Sequence, residues 1–152
     1  MSLIESPATN LFSKTRQVRF SHCDPAGIVF FPRYLVQLND LIEDWFNEAL
    51  HIDYAELITV RKIGLPTVRL ECDFVSPGAF GTTIEWQLSV ERIGNASMTL
   101  VVHGVADGVQ RFRLRIVLVA THGHQGGSMP LPADVREALL QFQGAHEERQ
   151  SE

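Results

Sequence analysis

The sequence predicts an α+β domain in which an antiparallel sheet of about five strands wraps around one long central helix. Three observations predict it. A single stretch repeats its apolar residues every three or four positions over about 18 residues, the signature of a helix with one apolar face. Several other runs alternate apolar and polar residues with period two, as half-buried strands do. Tight-turn pairs such as Asp107-Gly108 separate those runs at hairpin distance.

The elements follow in order. From Thr15 to Ser21, Val18 and Phe20 alternate with Gln17, Arg19 and Ser21, giving a short first strand. The turn-rich string Asp24-Pro25-Ala26-Gly27 interrupts it. From Pro32, which suits a first helical turn, the residues Leu35, Leu38, Leu41, Ile42, Trp45, Phe46, Ala49 and Leu50 form the apolar stripe of a helix ~27 Å long. Gln37, Asp40, Glu43, Asp44, Asn47 and Glu48 form its polar side. A short segment at Tyr54 to Val60 precedes four longer strands. Val68, Leu70, Cys72 and Phe74 mark the first of these, and Ile84, Trp86, Leu88 and Val90 the second. Met98 to Ala106 and Val109 to Ala120 are the third and fourth, and the four read as a meander. In the last, Phe112, Leu114, Ile116 and Leu118 face one way and Arg111, Arg113 and Arg115 the other. Pro132-Ala133-Asp134 opens a short closing helix through Val135, Leu139, Leu140 and Phe142. A helix this apolar and a sheet with one apolar face must cover each other, which gives the wrapped arrangement.

The chain has 152 residues, 45% of them hydrophobic. That is one domain, expected over residues 14–143 with loose ends at 1–13 and 144–152. Two cysteines, Cys23 and Cys72, are too few for a disulfide framework and fit no four-ligand zinc pattern. A formal charge of −5 argues against broad nucleic-acid binding. Of the 13 cations 11 are arginine, so recognition of small anions stays open. No apolar run reaches the ~20 residues of a membrane span, and the expectation is a cytoplasmic protein working in a reducing compartment.

The stretch from His22 to Tyr34 concentrates the unusual chemistry: a carboxylate, a glycine turn and a helix start in succession. Unpaired N–H groups at a helix N-terminus stabilise a carbonyl oxygen that gains charge during acyl transfer. Asp24, a few residues upstream, can attack the same carbon or deprotonate a water there. Asp-Pro pairs also open ordinary turns, so the residues by themselves leave both readings open. His22, Cys23 and Asp24 do not make up a metal-ligand set. His122-Gly123-His124 reads as an exposed loop, Cys72 as core, and Trp45 and Phe46 as helix core.

The string Asp24-Pro25-Ala26-Gly27-Ile28-Val29-Phe30-Phe31-Pro32-x-Tyr34, after a Val-Arg-Phe strand, resembles the 4-hydroxybenzoyl-CoA thioesterase family of hotdog-fold enzymes. The order of motif, long helix, Gly64-x-Pro66 and strands follows that family from about Arg16 to Leu140. The resemblance implies a hotdog fold that dimerises through its sheet, often pairs into tetramers, and hydrolyses acyl-CoA thioesters without a cofactor, CoA being part of the substrate. It implies Asp24 as the catalytic carboxylate, Gly27 as the turn glycine and the backbone N–H of Phe31 as the donor to the thioester carbonyl. His22, Phe30 and Tyr34 are expected around the substrate, Tyr34 in a structural role.

Two positions depart from the pattern. A related branch, resembling thioesterases linked to the cell-envelope Tol–Pal system, carries a histidine where this chain has Phe31, so Asp24 and backbone groups must suffice. The basic residues that meet the CoA phosphates in the hydroxybenzoyl branch are replaced by Arg92-Ile93-Gly94-Asn95-Ala96. By charge, Arg92 is the candidate phosphate contact, with Arg111 or Arg113 beside it. Three functions follow for testing: hydrolysis of an aryl or short-to-medium acyl-CoA, the same chemistry or acyl transfer on a carrier-protein phosphopantetheine arm, and a non-catalytic acyl-binding module.

Overall fold

The computed structural model describes residues 10–151, with side chains through Gly144. Its elements are β1 (Phe12–Gln17), α1 (Phe31–Glu48), α2 (Tyr54–Thr59), β2 (Thr67–Phe74), β3 (Thr83–Ile93), β4 (Ser97–Ala106), β5 (Val109–Val119) and α3 (Ala133–Ser151). The five strands make one sheet in the order β1-β3-β4-β5-β2, every neighbouring pair antiparallel. Among the described residues no helix is long and apolar enough to cross a membrane.

β5 and α1 stand where their periods place them, whereas the apolar residues of β2 do not alternate in burial, Val68, Leu70 and Phe74 all being exposed. In β5, Phe112, Leu114, Ile116 and Leu118 are buried, and on α1 Leu38, Leu41, Ile42, Trp45 and Phe46 are buried against the same sheet face. The Asp107-Gly108 hairpin has both residues at positive φ, 53° and 72°, the type I′ geometry that this pair favours. Asp53 caps α2 by accepting the Glu56 N–H at 3.0 Å.

Four expectations need correction. The first strand begins at Phe12, inside the segment assigned to a loose end, and stops at Gln17; Phe20 sits in a 3-10 turn, 78% exposed. The inward-facing positions of β1 include Lys14 and Arg16, whose charges are matched on α1 by Glu48 at 2.8 Å and Asp44 at 2.7 Å. The four longer strands are not a simple meander: β2 pairs with β5, not with β3. Residues 75–82 therefore cross three strand spacings, roughly 14 Å, along one end of the sheet. Finally, α3 runs on to Ser151, through the expected tail, and Leu140 lies on its exposed side. Residues 1–9 of the expected N-terminal end lie outside the described residues.

This order gives the sheet two different ends. At one, β1 and β2 stop, β3 starts and the 106–109 hairpin turns; α1 also begins there. At the other, the Gly94–Ser97 turn, the C-terminus of α1 and the start of α3 meet.

Candidate active site

At the first end, the sequence from Cys23 to Val29 folds back on itself. Cys23 bridges Val29, and the Asp24 N–H donates to Ile28 O at 3.0 Å. Asp24 Oδ1 accepts the Ala26 N–H at 2.8 Å, and Gly27, at φ 79°, donates to Asp24 O at 3.0 Å. A side chain would be strained at that φ, which is why the turn carries glycine there. The turn reading of Asp24 is thus correct, and it does not exclude the chemical one. One carboxylate oxygen builds the turn, while Oδ2 makes no hydrogen bond among the described residues.

The helix that follows starts without a cap. Its N-cap is Phe30, with no side chain to accept a hydrogen bond, where Ser, Thr, Asp or Asn would ordinarily stand. Pro32 has no N–H to offer, and the Arg33 N–H donates to Phe30 O at 2.8 Å. That leaves the Phe31 N–H, which has no acceptor among the described residues. The positive end of the α1 dipole is therefore exposed through a single backbone donor.

Beside it opens an apolar cleft of about 480 Å³, lined by Ile28, Val29, Phe31, Tyr34, Phe74 and the segment 75–78. Phe31 and Phe74 lie 5.9 Å apart between ring centroids, and the Tyr34 ring stacks on Phe74 at 6.1 Å. Tyr34 is buried, and burial holds its phenol above the ordinary value, only partly opposed by the Arg111 charge. Among the described residues its hydroxyl has no partner, and it abuts Gly78, where an added Cβ would collide with it.

The other expected site residues separate. His22 does not line this cleft. It faces a polar hollow of about 530 Å³ on the β1 side, with Arg16, Arg19, Gln37 and Asp40. There its Nδ1 accepts the Arg19 N–H at 3.0 Å, and its carbonyl accepts the Phe30 N–H at 2.9 Å. Burial, with Arg19 and Arg33 nearby, lowers its pKa, and its two hydrogen bonds make it a brace for the turn. Phe30 is half exposed and touches the site through Phe31, 5.8 Å away. Arg92, the candidate phosphate contact by charge, is not part of this cleft. It lies exposed beyond a bulge in β3, eight residues from Ile84, which packs near the cleft; that is roughly 26 Å along the strand. Within one protomer Arg92 therefore stands remote from the turn of Asp24. Arg111 is also not free, because its guanidinium is committed to backbone carbonyls and Ser76. The sequence reading missed Phe74 and the 75–78 wall, since Ser76-Pro77-Gly78 looks like any turn.

A carboxylate with a free oxygen, one exposed helix N–H and an aromatic cleft thus converge at one end of the domain. A curated relative, the 1,4-dihydroxy-2-naphthoyl-CoA hydrolase of Synechocystis sp., is 29% identical over 52% of this chain and 56% of its own length. The chain therefore spans about half the length of the curated relatives it matches. Among solved structures, a thioesterase superfamily protein from Jannaschia sp. superposes with a TM-score of 0.80 at 29% identity, over 90% of this chain and 96% of that one. A gentisyl-coenzyme A thioesterase superposes at 0.75 with 27% identity, over 82% and 99%. The family model described as the thioesterase-like superfamily matches residues 18–139, a span holding β3 to β5, α1 and the turn of Asp24 alike, and the chain belongs to that superfamily of hotdog-fold proteins.

Proposed function

We propose that the protein hydrolyses acyl-CoA thioesters, with an aromatic or short-to-medium acyl group seated in the cleft of Phe31, Tyr34 and Phe74. The observation that carries this reading is the unpaired N–H of Phe31, a residue that lines that cleft, with Asp24 in the turn that leads into the same helix. The thioester oxygen accepts the Phe31 N–H, which stabilises the charge that develops on it as the carbonyl carbon becomes tetrahedral. Asp24 then serves in one of two ways. It adds to the carbon, expelling CoA thiolate and leaving a mixed anhydride that water cleaves, or it takes a proton from the water that adds. Either route consumes one water and yields the free acid and CoA. The relatives named for 1,4-dihydroxy-2-naphthoyl-CoA and gentisyl-coenzyme A support an aromatic acyl group. Release of free thiol from a panel of acyl-CoAs tests the reading; background rates with every member would refute it.

The functional unit in this reading is at least a dimer, formed by pairing of β2 edges. In one protomer Val68 and Phe74 of that edge strand are about half exposed, on a strand whose backbone has a partner on one side only. Replacing Leu70, on the same edge, by lysine should convert the dimer to monomer in sedimentation and lower activity in parallel. A monomeric wild-type protein with full activity would remove this part of the proposal.

The position of Arg92 favours a second reading, in which the acyl group arrives on a carrier-protein phosphopantetheine arm. Equal kcat/KM for acyl-CoA and acyl-pantetheine would support it, and a large preference for CoA would exclude it.

A further inference from the structure

The cleft wall at residues 75–78 supplies four of the nine residues around the cavity, yet it belongs to no strand or helix. Its position is set from two sides. On the cleft side it is tied to the turn of Asp24: Gly78 O accepts the Val29 N–H at 2.9 Å, Ala79 bridges Ile28, and the Phe80 N–H donates to Gly27 O at 3.0 Å. On the sheet side nearly every bond comes from one residue. Arg111 O accepts the N–H groups of Val75 at 2.8 Å and Ser76 at 3.1 Å. Its Nη1 donates to Pro77 O at 3.1 Å and lies 3.4 Å from Ser76 Oγ, while Nη2 reaches Ala106 O at 3.4 Å.

The Arg111 side chain is only 18% exposed, and the nearest carboxylate, Asp107, stands 3.9 Å away and is itself largely exposed. A guanidinium keeps its charge even when buried, so its rigid fork holds the carbonyls it meets in fixed relative positions. Arg115, four residues on along the same strand face, behaves differently and pairs with Glu91 and Glu71. We propose that Arg111 is the positioning residue of the acyl cleft, holding the 75–78 wall in register with the turn of Asp24 and so setting which acyl groups the enzyme accepts. This rests on the thioesterase reading above.

A large acyl group touches the wall, whereas an acetyl group held at the Phe31 N–H does not need it. The effect of losing the clamp therefore scales with acyl size. For Arg111→Met the ratio of kcat/KM for benzoyl-CoA over acetyl-CoA should fall on the order of 10-fold or more, carried by a higher KM for benzoyl-CoA. Arg111→Lys keeps one donor for Pro77 O and should recover part of that ratio. The matched control is Arg136→Met, because Arg136 also holds a turn through backbone carbonyls, its Nη2 donating at 2.7 Å to both Gly94 O and Asn95 O, at the far end of the sheet. It should lower the melting temperature while leaving the ratio unchanged.

An unchanged ratio in Arg111→Met, or an equal fall in Arg136→Met, overturns the proposal. Should Arg111→Met fail to fold, Arg111→Lys decides, since a ratio equal to wild type would overturn it as well. Calorimetric binding of the thioether S-benzyl-CoA separates this inference from the thioesterase reading. A wild-type protein that binds the thioether but turns over nothing refutes the hydrolase; roughly 10-fold weaker binding by Arg111→Met would still support the clamp, and unchanged binding would sink it.

Discussion

The two ends of the sheet are closed in opposite ways. At the far end, Leu131, Val135 and Leu139 are buried, Phe142 meets Trp45 edge-on at 5.6 Å, and Arg136 satisfies the carbonyls of the Gly94-Asn95 turn. At the other end the Phe31 N–H and the Tyr34 hydroxyl have no partner among the described residues, and Phe30, Phe31, Phe74, Val75 and Phe80 are exposed. Both ends draw on the same residue types. The chain can seal a sheet end and does so at one of them, and the proposed function assigns the ligand and a second subunit to the open one.

That contrast assigns chemistry to one end and stability to the other, and substitutions can break the assignment. The largest effect is expected for Asp24→Asn, which keeps an oxygen for the Ala26 N–H and removes the nucleophile or base. Thiol release should drop on the order of 10²–10⁴-fold with little change in melting temperature. A variant as fast as wild type would remove Asp24 from the mechanism.

Next is the exposed donor. Phe31 stands at the first helical position, where proline is tolerated, and Phe30 has the extended conformation that a following proline requires, φ −73° and ψ 118°. Phe31→Pro therefore deletes the N–H while keeping the helix. Compared with Phe31→Ala, which keeps the N–H and loses the same ring, it should lower kcat by a further ~10²–10³-fold. Equal rates for the two variants would show that the ring, and not the donor, matters.

At the sealed end the same logic runs in reverse. Leu139 is fully buried, and Leu139→Ala should cost about 2–5 kcal/mol in denaturant unfolding through lost burial and a residual cavity. The folded fraction should keep its kcat. A matching loss of kcat would mean that the two ends are not separable.

How much of this the sequence revealed follows the same division. Elements whose pattern is local were readable: the α1 stripe, the alternation in β5, the Asp107-Gly108 turn. The string from Asp24 to Phe31 was readable because turn, donor and carboxylate lie within eight consecutive residues. β1 was misread because Lys14 and Arg16 occupy inward positions, so charge hides its alternation, while apolar Phe20 sits outside the strand. The pairing of β2 with β5, the cleft wall and the distance of Arg92 from Asp24 depend on contacts remote in sequence. No period or composition records them.

The smallest predicted effect lies where the sealed end meets α2. Arg61 reaches Asp134 with two donors, at 2.8 and 2.9 Å, joining the residues after α2 to the first turn of α3. The hydrogen bonds from Arg61, helped by its charge, hold the Asp134 carboxyl below its ordinary pKa. A carboxyl depressed in the folded state stabilises the fold above its unfolded pKa of about 3.9, and that stability is lost as pH falls through the lower, folded value. Asp134 is about half exposed, so solvent screens the pair and Asp134→Asn should cost only about 0.2–1 kcal/mol at pH 7. The difference from wild type should stay level from pH 8 to pH 5, shrink below pH 4 and weaken in high salt, while acyl selectivity does not move. A selectivity change would mean that strain at the sealed end reaches the cleft, and the separation of the two ends would then fail at its weakest link.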